Sequence, residues 1–263
     1  LTPGPISDAE WSAMAYEGLQ AVEADLGATV NNQEAKGTQI RDAMRAYAQE
    51  GFNLVFGHGY EYNEPASEVA KDFPNTVFVS SSGGITAPNV GAFRFYLEQG
   101  FYLAGWLAGK VSKSNTVAMI GGPDLPSIRS TFKAFRAGAI AAKPSINVIE
   151  VFTGQESDVA AAKQASLRAI DEGADVLIHQ ANAAAPGVFN AAKERGVWAM
   201  GANVDQNDNP SGVVLASAVM VAKPAFVALA KQVREGSLKG SVVLMGMNDG
   251  AIDFLITPSL QSK

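Results

Sequence analysis

Short apolar runs alternate with longer stretches of helical periodicity along almost the whole chain. Runs at Asn53 to Phe56, Thr76 to Val79, Thr116 to Ile120, Asn147 to Val151, Asp175 to His179 and Val197 to Met200 predict strands. Between most of them, apolar residues return every three or four positions. Helices are predicted there, over Lys36 to Gln49, Leu97 to Lys110, Ser127 to Ala141, Val159 to Asp171 and Lys223 to Glu235. The first helix is the best marked, because Trp11, Ala15, Leu19, Val22 and Leu26 recur at helical spacing. Ser7-Asp8-Ala9-Glu10 ahead of them has the form of a capping box, in which a hydroxyl and a carboxylate satisfy free N–H groups of the first turn. That helix is predicted from about Asp8 to Asp25. Strand and helix in alternation predict an α/β fold with parallel sheets.

Several of the predicted strands end in small or polar residues: Gly57-His58-Gly59-Tyr60, Ser80 to Gly84, Gly121-Gly122-Pro123-Asp124, Gln180-Ala181-Asn182 and Gly201-Ala202-Asn203. Helix N-termini and free backbone groups converge at the carboxyl ends of parallel strands, so a ligand site is expected on these loops. The strand number suits two sheets of five or six in two lobes. With no Gly/Ser-rich linker in the sequence, the lobes are expected to share several short crossovers. Ser241 to Met245 and Ile252 to Ile256 add two late strands, Leu1 to Pro3 reads as the tail of a first strand, and both ends read as trimmed.

Composition narrows the function. The 263 residues carry 20 basic and 26 acidic side chains, a net charge of −6, and no basic stripe that would neutralise phosphates. Nucleic acid is therefore not an expected partner. Apolar residues make up 47%, yet Lys223 and Pro224 interrupt even the run from Val213 to Ala230, so no membrane-spanning helix is expected. The absence of cysteine removes disulfides, thiolate zinc sites and cysteine nucleophiles, and two histidines, His58 and His179, weigh against histidine-built metal sites or triads. Gly105 and Gly109-Lys110 resemble a phosphate loop but stand one residue too close, with Val111 where Ser or Thr would hold magnesium; they read as helix packing. No catalytic constellation, metal site or cofactor is expected.

Some positions stay open on the residues alone. Trp11, in the first turn of a helix, suits either a cleft or a packed core. His58 and Tyr60, between and after two glycines, suit a ligand contact or loop packing equally. Asn203 follows a strand and can face a ligand, whereas Asp208 to Pro210 read as a turn.

The run Asp8-Ala9-Glu10-Trp11-Ser12-Ala13-Met14-Ala15-Tyr16-Glu17-Gly18-Leu19 resembles the D-K-S-F-N-Q-x-x-Y-E-G-L signature of the basic membrane protein family of ABC-transporter substrate-binding proteins, typified by the purine nucleoside receptor. Val69 to Asn75, Tyr102 to Gly109, Ile120-Gly121-Gly122, Ala191-Ala192-Lys193 and Gly246-Met247-Asn248-Asp249-Gly250 continue the resemblance in order over nearly the whole length. It implies a type I periplasmic-binding-protein fold: two Rossmann-like lobes with parallel sheets, joined by three crossovers, with a small-molecule ligand enclosed between them. The first lobe would take residues 1–111 plus 218–240 and the second 112–217 plus 241–263. The resemblance further implies a non-enzymatic, monomeric receptor at the periplasmic or extracellular face of the membrane. Its anchor would be a lipid on an N-terminal cysteine segment missing here, and its partner an ABC permease.

The departures from the family pattern are informative. Trp11 stands at the family's first stacking aromatic and Ser12 at the asparagine beside it. Glu156, in Gly154-Gln155-Glu156-Ser157-Asp158, stands where a second aromatic is expected. Asn203 replaces an acidic residue associated with ligand hydroxyls, and Met220 replaces a lysine, so two opposite charges are lost together and family-type ribose recognition is put in doubt. Glu98, Asp124, Glu156, Asp205 and Asp249 lie on loops or element ends with no matching lysines. Carboxylates accept hydrogen bonds and repel anions, which favours a neutral or cationic ligand rich in donors, although two or three of the five suit helix caps equally. The expected ligand is a small polar ring compound, purine nucleosides or nucleobases first. It would stack on Trp11, with Ser12, Asn182, Asn203 and Glu156 at its edges. A ligand-sensing regulator of the same fold and an α/β enzyme acting on nucleosides are the alternatives.

Overall fold

The computed structural model describes residues 1–7, 11–238 and 240–258. Its contacts divide the chain into two units, one of Leu1–Tyr96 with Val221–Ala251 and one of Leu97–Met220 with the described residues from Ile252 onward. Each unit is an α/β assembly.

The first unit holds helices α1 (Trp11–Leu26), α2 (Gln39–Gln49), α3 (Asn63–Val69) and α8 (Ala222–Arg234). Its strands β1 (Leu54–Gly57), β2 (Val77–Ser81), β3 (Val90–Phe95) and β9 (Val242–Met245) form one sheet in the order β1-β2-β3-β9, every pair parallel. Leu1 and Thr2 lie along this sheet as a strand tail: the Leu1 amine donates to Phe56 O at 2.7 Å, His58 N–H donates to Leu1 O at 2.9 Å, and Thr2 bridges Glu34 in parallel. Helix α1 meets α8 where Gly18 faces the Phe226 ring; a Cβ there would sit 2.7 Å from the ring. Ile40, Met44, Tyr62, Val69, Phe78 and Val90 form the buried core. Of the capping box expected at Ser7-Asp8-Ala9-Glu10, residues 8–10 lie outside the described residues.

The second unit holds α4 (Glu98–Val111), α5 (Pro126–Ala142), α6 (Val159–Asp171) and α7 (Ala185–Arg195), with β4 (Thr116–Gly121), β5 (Asn147–Phe152), β6 (Val176–Gln180), β7 (Trp198–Asn203), β8 (Val214–Met220) and β10 (Ile252–Ile256). Its sheet runs β10-β8-β7-β6-β4-β5, parallel except for β10 against β8. Strand β4 pairs with both β5 and β6, so the chain steps outward from β4 to β5 and then crosses back to β6. That reversal opens a crevice at the carboxyl ends of β4 and β6, where doubly wound sheets bind ligands. Asp158 caps α6 by accepting from Ala161 N–H at 2.8 Å, and Gly196, at φ +66°, ends α7 in the left-handed conformation that glycine adopts without strain.

Three expectations are corrected. Residues 97–111 belong with the second unit, because α4 packs on α5 through bare backbone: a Cβ on Gly105 would lie 1.9 Å from Phe135 O, and one on Gly138 2.0 Å from Tyr102 O. Residues 241–251 belong with the first unit, because β9 pairs with β3 and not with any strand of the other sheet. Among the described residues the first sheet has four hydrogen-bonded strands, fewer than the five or six expected. Helix packing, and not a phosphate loop, is what Gly105 and Gly109 serve.

Candidate functional site

In the first unit Gly57 and Gly59 bracket His58. Gly57 is required because a Cβ would fall 2.3 Å from Tyr62 Cβ, and Gly59 sits at φ +151°. His58 is buried at the carboxyl end of β1, with Nδ1 3.1 Å from Ser81 Oγ at the end of β2. Trp11 stacks on this imidazole, ring centres 3.8 Å apart and 28° between planes, and its Nε1–H donates to His58 O at 3.2 Å. The indole is half-buried, so it is neither sealed in the core nor free of the protein. Ser12 is buried. Tyr60 stands apart, 67% exposed at the start of a 3-10 turn over Tyr60–Tyr62. Asp249 accepts from Gly246 N–H at 2.8 Å and so closes the turn at Met247–Asp249. A cavity of about 840 Å³ in this unit runs beside Leu1, Thr2 and β1 and is lined mainly by apolar side chains such as Leu19, Leu26, Phe52 and Phe226. His58 alone among the candidate residues lines it.

In the second unit the crevice at β4 and β6 carries a row of side-chain hydrogen bonds. Thr131, on the buried face of α5, donates to Gln180 Oε1 at 2.6 Å; Gln180 Nε2 donates to Asn203 Oδ1 at 3.2 Å; Asn203 Nδ2 donates to Asn182 Oδ1 at 3.0 Å; and Asn182 Nδ2 donates to Glu156 Oε2 at 3.2 Å. The row runs from buried Thr131 to exposed Glu156. Backbone geometry holds it in place. Asn182 and Asn203 occupy left-handed conformations, at φ +46° and +71°, which asparagine tolerates better than most residues. Gly122 lets the Gln155–Glu156 backbone approach the end of β4, where a Cβ would meet Gln155 O at 3.1 Å. Ala184 N–H fastens the same loop by donating to Glu156 O at 3.1 Å.

A second network lies behind the row. His179 Nε2–H donates to Gln206 Oε1 at 2.7 Å, Ala202 N–H reaches the same oxygen at 3.0 Å, and Gln206 N–H donates to Ser217 Oγ at 3.0 Å. Complete burial pushes the His179 imidazole down to about 4, against a smaller opposing effect of the Gln206 bond, so the ring is neutral at pH 7 and locks the loop after β7.

The structure therefore brings Glu156, Asn182 and Asn203 together, and Trp11 with His58. It assigns structural tasks to others. Asp205 accepts from Asn207 N–H at 3.0 Å, which makes it a turn cap like Asp249. Asp124, expected to lack a matching lysine, is paired instead with Arg129 on the following helix. Glu98 lies in the first turn of α4, and Met220 ends β8 half-buried, in register with Ile252. Sequence reasoning missed Gln180 and Thr131 as members of the row. The available signal was a lone threonine on the apolar face formed by Ile128, Phe132 and Phe135. Among the described residues no three His, Asp or Glu side chains are grouped as a metal would require, and no helix is long and apolar enough to cross a membrane.

Known proteins give this arrangement a context. A transcriptional activator protein of Bacillus subtilis (strain 168) is 29% identical over 255 residues, spanning 96% of this chain and 80% of its own length. A purine-binding protein of Brucella abortus (strain 2308) is 26% identical over 253 residues, spanning 95% of this chain and 72% of its own. Among solved structures, an ABC transporter solute-binding protein from Conexibacter woesei superposes with a TM-score of 0.80 at 29% identity, over 97% of this chain and 87% of that one. The fold is that of type I periplasmic-binding proteins. The family model described as "ABC transporter substrate-binding protein PnrA-like" matches residues 1–263, and the chain belongs to that family, Bmp.

Proposed function

We propose that this chain is a receptor for a small polar ring compound, with purine bases and nucleosides first, and that it hands its ligand to an ABC permease. The observation that carries the reading is the amide row at the β4–β6 crevice. Three neutral amides and one carboxylate, positioned by backbone, match the donor and acceptor edge of a heterocycle and offer no cation to a phosphate. The half-buried Trp11 indole supplies a π-face for stacking, worth about 0.5–1.5 kcal/mol beyond burial. A purine-binding relative supports the ligand class. The family supports a site of action outside the cytoplasm, with lipid anchoring and a monomeric receptor as parts of the same proposal.

The test is calorimetric titration of metal-free protein with nucleobases and nucleosides, with chromatography of the mixture afterwards. Stoichiometric binding with the purine recovered intact supports the receptor. Product formation overturns it in favour of an enzyme, and heatless titrations across the panel remove the purine class.

One observation favours a second reading, a ligand-sensing regulator: the relative from Bacillus subtilis is named a transcriptional activator. A mobility-shift assay on the full-length protein separates the two, since purine-dependent retention of promoter DNA belongs only to the regulator.

A further inference from the structure

The row of side-chain hydrogen bonds has a direction, and one of its ends fixes it. Glu156 closes the row with a carboxylate, a group that only accepts. Asn182 must therefore turn Nδ2 toward Glu156, which leaves its Oδ1 for Asn203 Nδ2 at 3.0 Å. Asn203 Oδ1 is then left for Gln180 Nε2 at 3.2 Å, and Gln180 Oε1 for the Thr131 hydroxyl at 2.6 Å.

An amide turned over by 180° occupies nearly the same space, so the skeleton alone admits the opposite order. Thr131 makes that reversal available, because its hydroxyl also lies 2.8 Å from Ile128 O. With its proton given to that carbonyl, it accepts from Gln180 Nε2, and Gln180, Asn203 and Asn182 all turn over. The reversed row ends with Asn182 Oδ1 against the Glu156 carboxylate, two acceptors face to face. Glu156 is what makes this order unfavourable.

Each amide in the row keeps a second N–H and a second lone pair outside it. Turning the row over exchanges their positions, so the same five residues offer two complementary patterns. We propose that Glu156 is a specificity-determining residue: its charge, passed through Asn182 and Asn203 to Gln180, selects which of two purine edges the row reads. The edges differ as adenine and hypoxanthine do, one presenting an acceptor ring nitrogen beside an exocyclic donor and the other a donor nitrogen beside an exocyclic acceptor. The specificity part rests on the purine reading above; the direction of the row does not.

Two measurements test the two parts. In the unliganded protein, side-chain amide resonances of Asn182, Asn203 and Gln180 are followed by nitrogen-15 NMR. The wild type and Glu156→Asp are expected to give one set each, whereas Glu156→Gln gives doubled or displaced signals at all three residues. A response confined to Asn182, the one of these three side chains hydrogen-bonded to Glu156, overturns the directional claim. In titrations with adenosine and inosine, Glu156→Gln is expected to change the ratio of the two affinities at least tenfold while Glu156→Asp preserves it. An unchanged ratio with both nucleosides bound overturns the specificity claim. If neither nucleoside binds the wild type, the purine reading and the specificity claim fail together, and the resonances alone decide the direction of the row.

Discussion

Trp11 is held from two directions, with one face on His58 and its N–H on a backbone carbonyl, so it is a plate fixed in advance of any ligand. Pre-organisation of this kind lowers the ordering cost of binding. Trp11→Ala is expected to weaken purine binding more than tenfold, read by calorimetry, while lowering the stability of the empty protein by about 2 kcal/mol, the sum of one stack and one hydrogen bond. Equal damage to both would make Trp11 a core residue. His179 yields a pH prediction. Its folded pKa of about 4 lies below the ordinary 6.5, so the unfolded chain binds the proton more readily, and stability is lost as pH falls from about 6.5 toward 4. The full effect is roughly 3 kcal/mol. His179→Asn should flatten that limb relative to wild type in urea unfolding at pH 4.5 and pH 7, and parallel curves would refute the assignment. At this scale the sequence located the loops but not their company. Glu156, Asn182 and Asn203 are legible as strand-end polar residues, whereas Thr131 lies 49 residues from Gln180 along the chain and meets it only in the folded unit.

Among elements, the helices and strands with clear periodicity were legible to within a few residues, and α6 matches its expected span. Strands β3 and β8 and helices α3 and α7 were not. Strand β8 runs into α8 with Val221 alone between them, so a buried strand and an apolar helical face fuse into one apolar stretch whose period cannot be separated. The α4–α5 seam is a sharper result. Because Gly105 and Gly138 each present bare backbone to a carbonyl of the other helix, a methyl group at either has nowhere to go. Gly105→Ala and Gly138→Ala should each destabilise by about 1–3 kcal/mol or more, the cost of overpacking. Gly84→Ala, where a Cβ meets nothing within 4 Å, is the control and should stay within about 0.5 kcal/mol in denaturant titrations.

For the whole molecule, the chain passes from one unit to the other three times, as the family resemblance implies, but at residues 96/97, 220/221 and 251/252 and not at the positions read from the sequence. Contacts across the fold, which no local pattern encodes, decide those points. A purine at a hundred times its Kd should add about 2.7 kcal/mol to the free energy of unfolding and raise the melting temperature with ligand concentration; a melting temperature indifferent to purine would count against the receptor. The late pairing of β9 with β3 also has a consequence during synthesis. Strand β3 leaves the ribosome about 150 residues before the neighbour that covers its outer side, a wait of roughly 7–30 s at ~5–20 residues per second. For that interval the nascent protein carries an open, apolar sheet margin, the kind of surface to which chaperones attach and at which unfinished copies join one another.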